Sequence, residues 1–292
     1  MTLHPTSLAV ATAVARTGSA SRAAERLHLS QPAVSYHLRK LERALGASLF
    51  RRGAAGMTPT AAGERLVSGA ERVLAELERI EQEVRAIGAG APALLRLSSA
   101  CFTNYHWLPA VLDELGGVRV ELDVDPSRRP FERLDRGGLD IALTTVPPER
   151  GPFRIVELFD DEIVAVMPPD HPLAQRRWLT PADFSDQSVV IFDRTRSDLF
   201  SRVLEPASVT PTHVTDVPVT EALLELIRTG NGVSAMARWI VRPHLRAGTL
   251  AAVPIGREGL HRTWCAVLSD RRPVTDPVER FVEVLRRGPD GL

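Results

Sequence analysis

Three residues, His28-Leu29-Ser30, separate two runs of helical apolar spacing near the N-terminus, and a link that short constrains the fold more than any other feature of the chain. Two helices joined so tightly must cross at a steep angle instead of stacking side by side. The spacing predicts helices over 8–16, 19–27 and 31–45. Gly18 and Gly46 fall just past two helix ends, where a left-handed residue stops the turn at little cost. Ser19 and Ser30 are placed to cap the second and third helices, and Pro32 sits in a first turn that needs no N–H from it. Ala23, Ala24 and Leu27, with Val34, Leu38 and Leu41, supply a small core at i, i+3/i+4 and i+7. That leaves Gln31, Ala33, Ser35, Tyr36, Arg39 and Lys40 nearer the outside of the third helix.

Lys+Arg and Asp+Glu both number 36, so the formal net charge is zero, yet the charge is unevenly spread. Residues 1–60 carry eight basic side chains and two acidic ones. A cationic end on a neutral chain suggests a module that meets a polyanion. Beyond Gly46, Leu49-Phe50-Arg51-Arg52, a Gly-flanked tip and Thr58-Pro59 read as a small wing that sets two arginines beside a phosphate backbone or minor groove. A polar stripe alone is more often a solvated face, and a charged hairpin alone an ordinary turn. The tight turn, the caps and the basic surplus together favour duplex DNA. The expected DNA-binding set is Ser19, Arg22, Ser30, Gln31, Pro32, Ala33, Ser35, Tyr36, Arg39, Lys40, Arg51, Arg52 and Thr58. Within it Gln31 and Ser35 suit base edges, while Arg22, Arg39 and Lys40 suit phosphates.

Leu66, Ala70, Val73, Leu77, Ile80, Val84 and Ile87 alternate at spacings of four and three, the a/d seam of a coiled coil. Thr58 with Pro59 is placed to start this helix, and Gly88-Ala89-Gly90-Ala91-Pro92 to end it. An apolar seam on a long charged helix needs a partner, and the same helix of a second chain supplies one, so dimerisation is expected through these seven residues. Packing on the chain's own second domain is the alternative. Two paired heads would read an inverted repeat.

From Leu94 onward strands and helices alternate: a strand over 94–99, a helix over 104–115, a strand over 118–124, a helix over 130–136 and a strand over 139–145. A second set follows, with strands near 162–167, 189–192, 213–217, 233–236 and 263–268, helices near 195–204 and 220–228, and a closing helix over 276–286. The fold class is therefore α/β with an all-α N-terminal domain: a winged helix-turn-helix (1–60), a linker helix (61–90) and a two-lobed Rossmann-like domain (91–292). Lobe I takes about 91–161 and 269–292, lobe II about 162–268, with ligand expected at strand C-termini between them. The hydroxyl-rich turn after the first strand, holding Ser99, Cys101, Phe102 and Thr103, is placed to bind a carboxylate at a helix start. Capping or core packing is the plain alternative for each of these residues.

The run Ser19-Ala20-Ser21-Arg22-Ala23-Ala24-Glu25-Arg26-Leu27-His28-Leu29-Ser30-Gln31-Pro32-Ala33-Val34-Ser35 resembles the LysR-type transcriptional regulators. Leu38, Leu41-Glu42, Leu45-Gly46, Leu49-Phe50-Arg51-Arg52 and Thr58-Pro59-Thr60-Ala61-Ala62-Gly63 continue the likeness. The resemblance implies a periplasmic-binding-protein-type effector domain whose cleft also draws on Thr144, Thr145, Phe192, Arg194, Val219 and Thr220. It further implies a dimer or tetramer that contacts RNA polymerase. The stretches 101–112, 159–162 leading to 169–174, 236–241 and 256–267, the last including Trp264, look like the methionine-biosynthesis activator subfamily. Homocysteine is the usual co-effector there, and Arg194 is then the expected partner for its carboxylate. A regulator of another small-acid pathway, or a thiol sensor using Cys101 and Cys265, is the competing expectation.

Two cysteines argue against a disulfide framework and fit a reducing cytoplasm. The N-terminus has no basic signal-peptide start, and no run of about 18 apolar residues suggests a membrane span. The histidines are scattered without metal-ligand spacing, and neither a Gly-rich phosphate loop nor a G-x-S-x-G elbow occurs. No cofactor or metal is expected, and binding without turnover is the expected chemistry.

Overall fold

Helices α1 (Pro5–Thr17), α2 (Ala20–Leu27) and α3 (Gln31–Leu45), followed by a hairpin of β1 (Phe50–Gly53) and β2 (Gly56–Pro59), build the N-terminal head. The structure, a computed structural model, describes residues 3–53, 56–99, 105–123 and 129–288. Its contacts divide the chain into two units, Met1–Ala93 with Glu132–Gly138 and Leu94–Phe131 with Leu139–Leu292.

The expected punctuation holds. Gly18, His28 and Gly46 end the three helices in the left-handed region. Ser19 Oγ accepts from the Arg22 N–H at 3.4 Å and Ser30 Oγ from the Ala33 N–H at 3.3 Å. Val10, Val14, Ala23, Ala24, Val34, Leu38, Leu41, Leu49 and Phe50 form one buried cluster between helices and hairpin. Each fully buried large aliphatic there contributes roughly 1.5–3 kcal/mol. The wing is seated by backbone: the Met57 N–H donates to the Gly18 carbonyl at 2.8 Å.

The long helix α4 (Ala61–Gly88) starts later than expected. Thr60, not Thr58, caps it, accepting from the Gly63 N–H at 3.1 Å, and Thr58 instead pairs with Arg51 across the hairpin. The physical reason is that β2 runs extended through Pro59, so the first helical residue is Ala61.

In the second unit a parallel pair, β3 (Ala93–Ser99) and β5 (Ile141–Thr144), lies beside β4 (Val118–Asp123). The long strands β6 (Phe153–Met167) and β11 (Leu260–Ser269) run antiparallel, and β6 also pairs with β9 (Ser234–Ala237) and β10 (Ala251–Pro254). A separate parallel pair, β7 (Ser188–Ile191) and β8 (His213–Asp216), joins through a bridge from Val189 to Val233. Helices α5 (Leu108–Leu115), α7 (Thr220–Arg228), α8 (Arg238–Arg246) and α9 (Asp276–Arg286) complete this unit, while most of α6 (Pro130–Arg136) counts with the first. Alternate side chains of β6 feed two cores, Ile163, Ala165 and Met167 one, Val164 and Val166 the other. That is the pattern of a strand covered on both faces.

Some elements differ from the sequence reading. The helix expected over 104–115 begins at Leu108, after a turn at His106 and Trp107. The helix expected over 195–204 is two short turns, Arg194–Arg196 and Phe200–Leu204: the Asp193 carboxylate caps the start of the first, and the backbone turns extended at Ser197, which ends it.

Candidate nucleic-acid interface and effector cleft

On α3, Gln31, Ser35 and Arg39 form one i, i+4 row and Pro32, Tyr36 and Lys40 the next. Gln31 Nε2 donates to Ser35 Oγ at 3.3 Å, and Arg39 Nε to the Ser35 carbonyl at 3.2 Å, so the first row is ordered along its own helix. Gln31, Pro32, Tyr36 and Arg39 are exposed, with Ala33, Ser35 and Lys40 half-buried at the edges. Arg22 is exposed and its guanidinium bonds the Thr17 carbonyl, beside the half-buried cap Ser19; Ser30 is exposed at the start of α3. Arg51, Arg52 and Thr58 are exposed on the hairpin, whose tip residues 54–55 lie outside the described residues. The head thus presents guanidinium groups and hydroxyls on and around the exposed face of α3, the donors that phosphates and base edges accept from.

The seam on α4 divides in two. Leu66 packs against the core of the head and Ala70 is buried. Val73, Leu77, Ile80, Val84 and Ile87 stay 37–80% exposed. Arg79 bonds both Glu76 and Glu83 at 2.5 Å, and these pairs hold its guanidinium firmly protonated.

In the second unit, Ser99 and Thr144–Thr145 end adjacent parallel strands, since Ser99 is in register with Leu143. Thr144 closes its own turn, Oγ1 accepting from the Val146 N–H at 3.1 Å. Cys101, Phe102 and Thr103 lie outside the described residues. A cleft enclosing about 80 Å³ opens past the C-terminal end of β7, lined by Phe192, Asp193 and residues 196–199, the start of α7, β9 and Ile240. Ile163 and Arg262 reach it from the two long strands. Of the expected effector residues, Phe192 and Thr220 line this cleft. Arg194 does not line it; its guanidinium lies over the Phe200 ring at 4.8 Å. Val219 is exposed just before α7.

Sequence reasoning missed the charged groups that do line the cleft. Arg262 Nη1 donates to Asp198 at 3.3 Å, the Arg262 guanidinium lies over Trp264 at 5.1 Å, and its buried Nε meets no acceptor among the described residues. Asp198 is shared with Arg202 at 3.6 Å. A buried guanidinium N–H calls for an acceptor, a place that a ligand oxygen or a water can take. Sixty-four positions separate Arg262 from Asp198, so no local spacing could have announced the pair.

Trp264 is buried, donating Nε1 to Asp161 at 3.3 Å, while the same carboxylate accepts from the Trp239 N–H at the start of α8. Burial pushes the Asp161 carboxyl above its ordinary range, and the nearby Arg262 and these hydrogen bonds pull against that. Cys265 is buried and its thiol is pushed up by that burial and by Glu157, the opposite of an activated thiolate. Among the described residues no group of three or more His, Cys, Asp or Glu is placed to hold a metal ion. No helix among them is long and apolar enough to cross a membrane.

Two family profiles match this layout. Residues 5–64 match the bacterial regulatory helix-turn-helix of the lysR family, and residues 89–290 match the LysR substrate binding domain. The chain belongs to the LysR family of transcriptional regulators. As a LysR-family protein it is a DNA-binding regulator with an effector-binding domain. It is 31% identical over 268 residues to the HTH-type transcriptional regulator MetR of Escherichia coli (strain K12), covering 89% of this chain and 83% of that one. It is 30% identical over 266 residues to the RuBisCO operon transcriptional regulator of Allochromatium vinosum, covering 89% and 88%. Among solved structures, ArgP from Mycobacterium tuberculosis shares the fold with a TM-score of 0.70 at 23% identity, over 99% of this chain and 98% of that one.

Proposed function

We propose that this LysR-family chain binds an inverted-repeat promoter site as a dimer or dimer of dimers, and that a small amino acid, homocysteine or a close relative, tunes that grip to control methionine or sulfur metabolism. The observation that carries the metabolic reading is the 31% identity to MetR along nearly the whole chain. The resemblance of the effector part to the methionine-biosynthesis activators supplies homocysteine. The cleft supports a small zwitterion: the Asp198–Arg262 pair and Arg196 offer both signs of charge, with Met236, Leu223 and Ile240 as an apolar wall. Ser99, Cys101, Phe102, Thr103, Thr144 and Thr145 belong to the same proposed effector site, with Trp264 behind Arg262.

The head is proposed to place α3 in the major groove and the wing arginines along the backbone, and the exposed part of the α4 seam to pair two chains. Ligand closure of the two lobes then re-angles the paired heads and alters DNA bending and contact with RNA polymerase, with no bond made or broken. The protein acts where the chromosome is, in the cytoplasm, without a membrane or a metal. A second reading, control of another small-acid pathway, draws on the 30% identity to the RuBisCO operon regulator.

Thermal-shift titration of the full chain with L-homocysteine, L-methionine and the remaining amino acids tests the effector reading. A saturable rise in Tm with L-homocysteine supports it. A shift only with an organic acid lacking an amino group transfers the chain to the second reading.

A further inference from the structure

Tyr36 is an aromatic side chain left 51% exposed on α3, beside the row of Gln31, Ser35 and Arg39. The residue after it turns the other way. His37 is half-buried, and its Nδ1 is hydrogen-bonded at 2.9 Å to the hydroxyl of Ser7, a buried residue in the first turn of α1. The His37 imidazole in turn meets the Tyr36 ring edge-on, with centroids 5.6 Å apart and an interplanar angle of 75°. Ser7 is thus one end of a chain of contacts that starts in the scaffold and finishes at an exposed aromatic ring. Tyr36 makes no hydrogen bond among the described residues, and the ring contact with His37 ties it to its own head.

The geometry points to Tyr36 as a base-reading residue that recognises a thymine methyl in each half-site, with Ser7 and His37 as positioning residues that fix its ring before DNA arrives. An exposed ring beside polar readers supplies what they lack, an apolar surface for the one apolar group that the major groove displays. Holding that ring in advance spares the cost of immobilising it on binding. Ser7 is buried and His37 faces α1, so neither is placed to touch a phosphate, and their effect is confined to discrimination.

The test uses the full chain and an inverted-repeat duplex selected from a randomised library. Each thymine of the half-site is replaced in turn by uracil, which removes only the methyl. The wild type loses about fourfold in affinity per methyl at one position, the worth of one such group taken out of water. Tyr36→Ala becomes indifferent to uracil there, and Tyr36→Phe keeps the effect. Ser7→Ala and His37→Phe each reduce it to about twofold or less, and the double variant does no worse than either single one, because all act through one contact chain. Their salt slopes stay at the wild-type value, a readout that general loosening of the head would move. Identical uracil profiles for the wild type and Tyr36→Ala overturn the assignment of Tyr36. Full methyl discrimination in Ser7→Ala and His37→Phe overturns the positioning role.

Discussion

Replacing Ile80 with aspartate separates a paired α4 from a solitary one. Ile80 is 45% exposed in the single chain, between Leu77 at 37% and Val84 at 62%. Burying a whole isoleucine contributes up to ~3 kcal/mol, so covering the remaining fraction is worth about 1 kcal/mol per chain and about 2–3 kcal/mol for a two-fold pair. That corresponds to a dimer weakened roughly 30- to 150-fold. Repulsion between two carboxylates facing across the axis adds to it. Arg79 offers no relief, because Glu76 and Glu83 already hold it at 2.5 Å. Sedimentation velocity from nanomolar to micromolar protein reads the shift, and thermal unfolding checks that the head, whose core Ile80 does not enter, is intact. A variant that associates as tightly as the wild type would refute the pairing of this seam.

Gly56→Ala should loosen the wing: Gly56 has φ of 108° and an added Cβ would stand 2.5 Å from the Gly18 carbonyl oxygen, which is backbone and cannot step aside. A loss of about 1–3 kcal/mol in stability, with weaker DNA binding, is expected from thermal melts and anisotropy. Asp161→Asn should change the pH profile. Because the native carboxyl is held above its ordinary value, the native state binds more protons than the unfolded chain in that window, and wild-type stability falls as pH rises through it. The stability of the variant relative to the wild type therefore improves from about pH 4 toward neutrality, whatever constant offset the altered hydrogen bonds impose; Tm measured across that range checks it. In the cleft, Arg262→Gln is expected to weaken amino-acid binding about tenfold or more by calorimetry, the scale of a lost charge-assisted bond, while Arg194→Ala, stacked on Phe200, stays within about twofold. The reverse order would return the carboxylate to Arg194.

What the sequence disclosed follows the range over which its signals act. Ser19, Ser30, Gly18 and Gly46 punctuate helices within three or four residues of themselves, and those boundaries are legible. Thr58 and Thr60 look alike as caps, and only the length of the hairpin decides between them. The helix α8 escapes notice because Pro243 lies inside it, and its first turn is secured from outside by Asp161, 78 residues earlier than the Trp239 N–H it accepts. The first half of β6 reads as irregular because exposed and covered residues there do not alternate. At the cleft, Thr220 and Phe192 come from the family resemblance, whereas Asp198 and Arg262 meet only once the long strand β11 is in place.

In the proposed assembly two cationic heads, joined through α4, grip one symmetric DNA site. Fluorescence anisotropy against a selected duplex carrying either one or two half-sites, repeated over a range of salt concentrations, tests it most directly. Two chains per two-site duplex, much weaker binding to the single half-site and a steep linear fall of log affinity with log salt are the expected result. Equal affinity for one and two half-sites, with binding insensitive to salt, would contradict it.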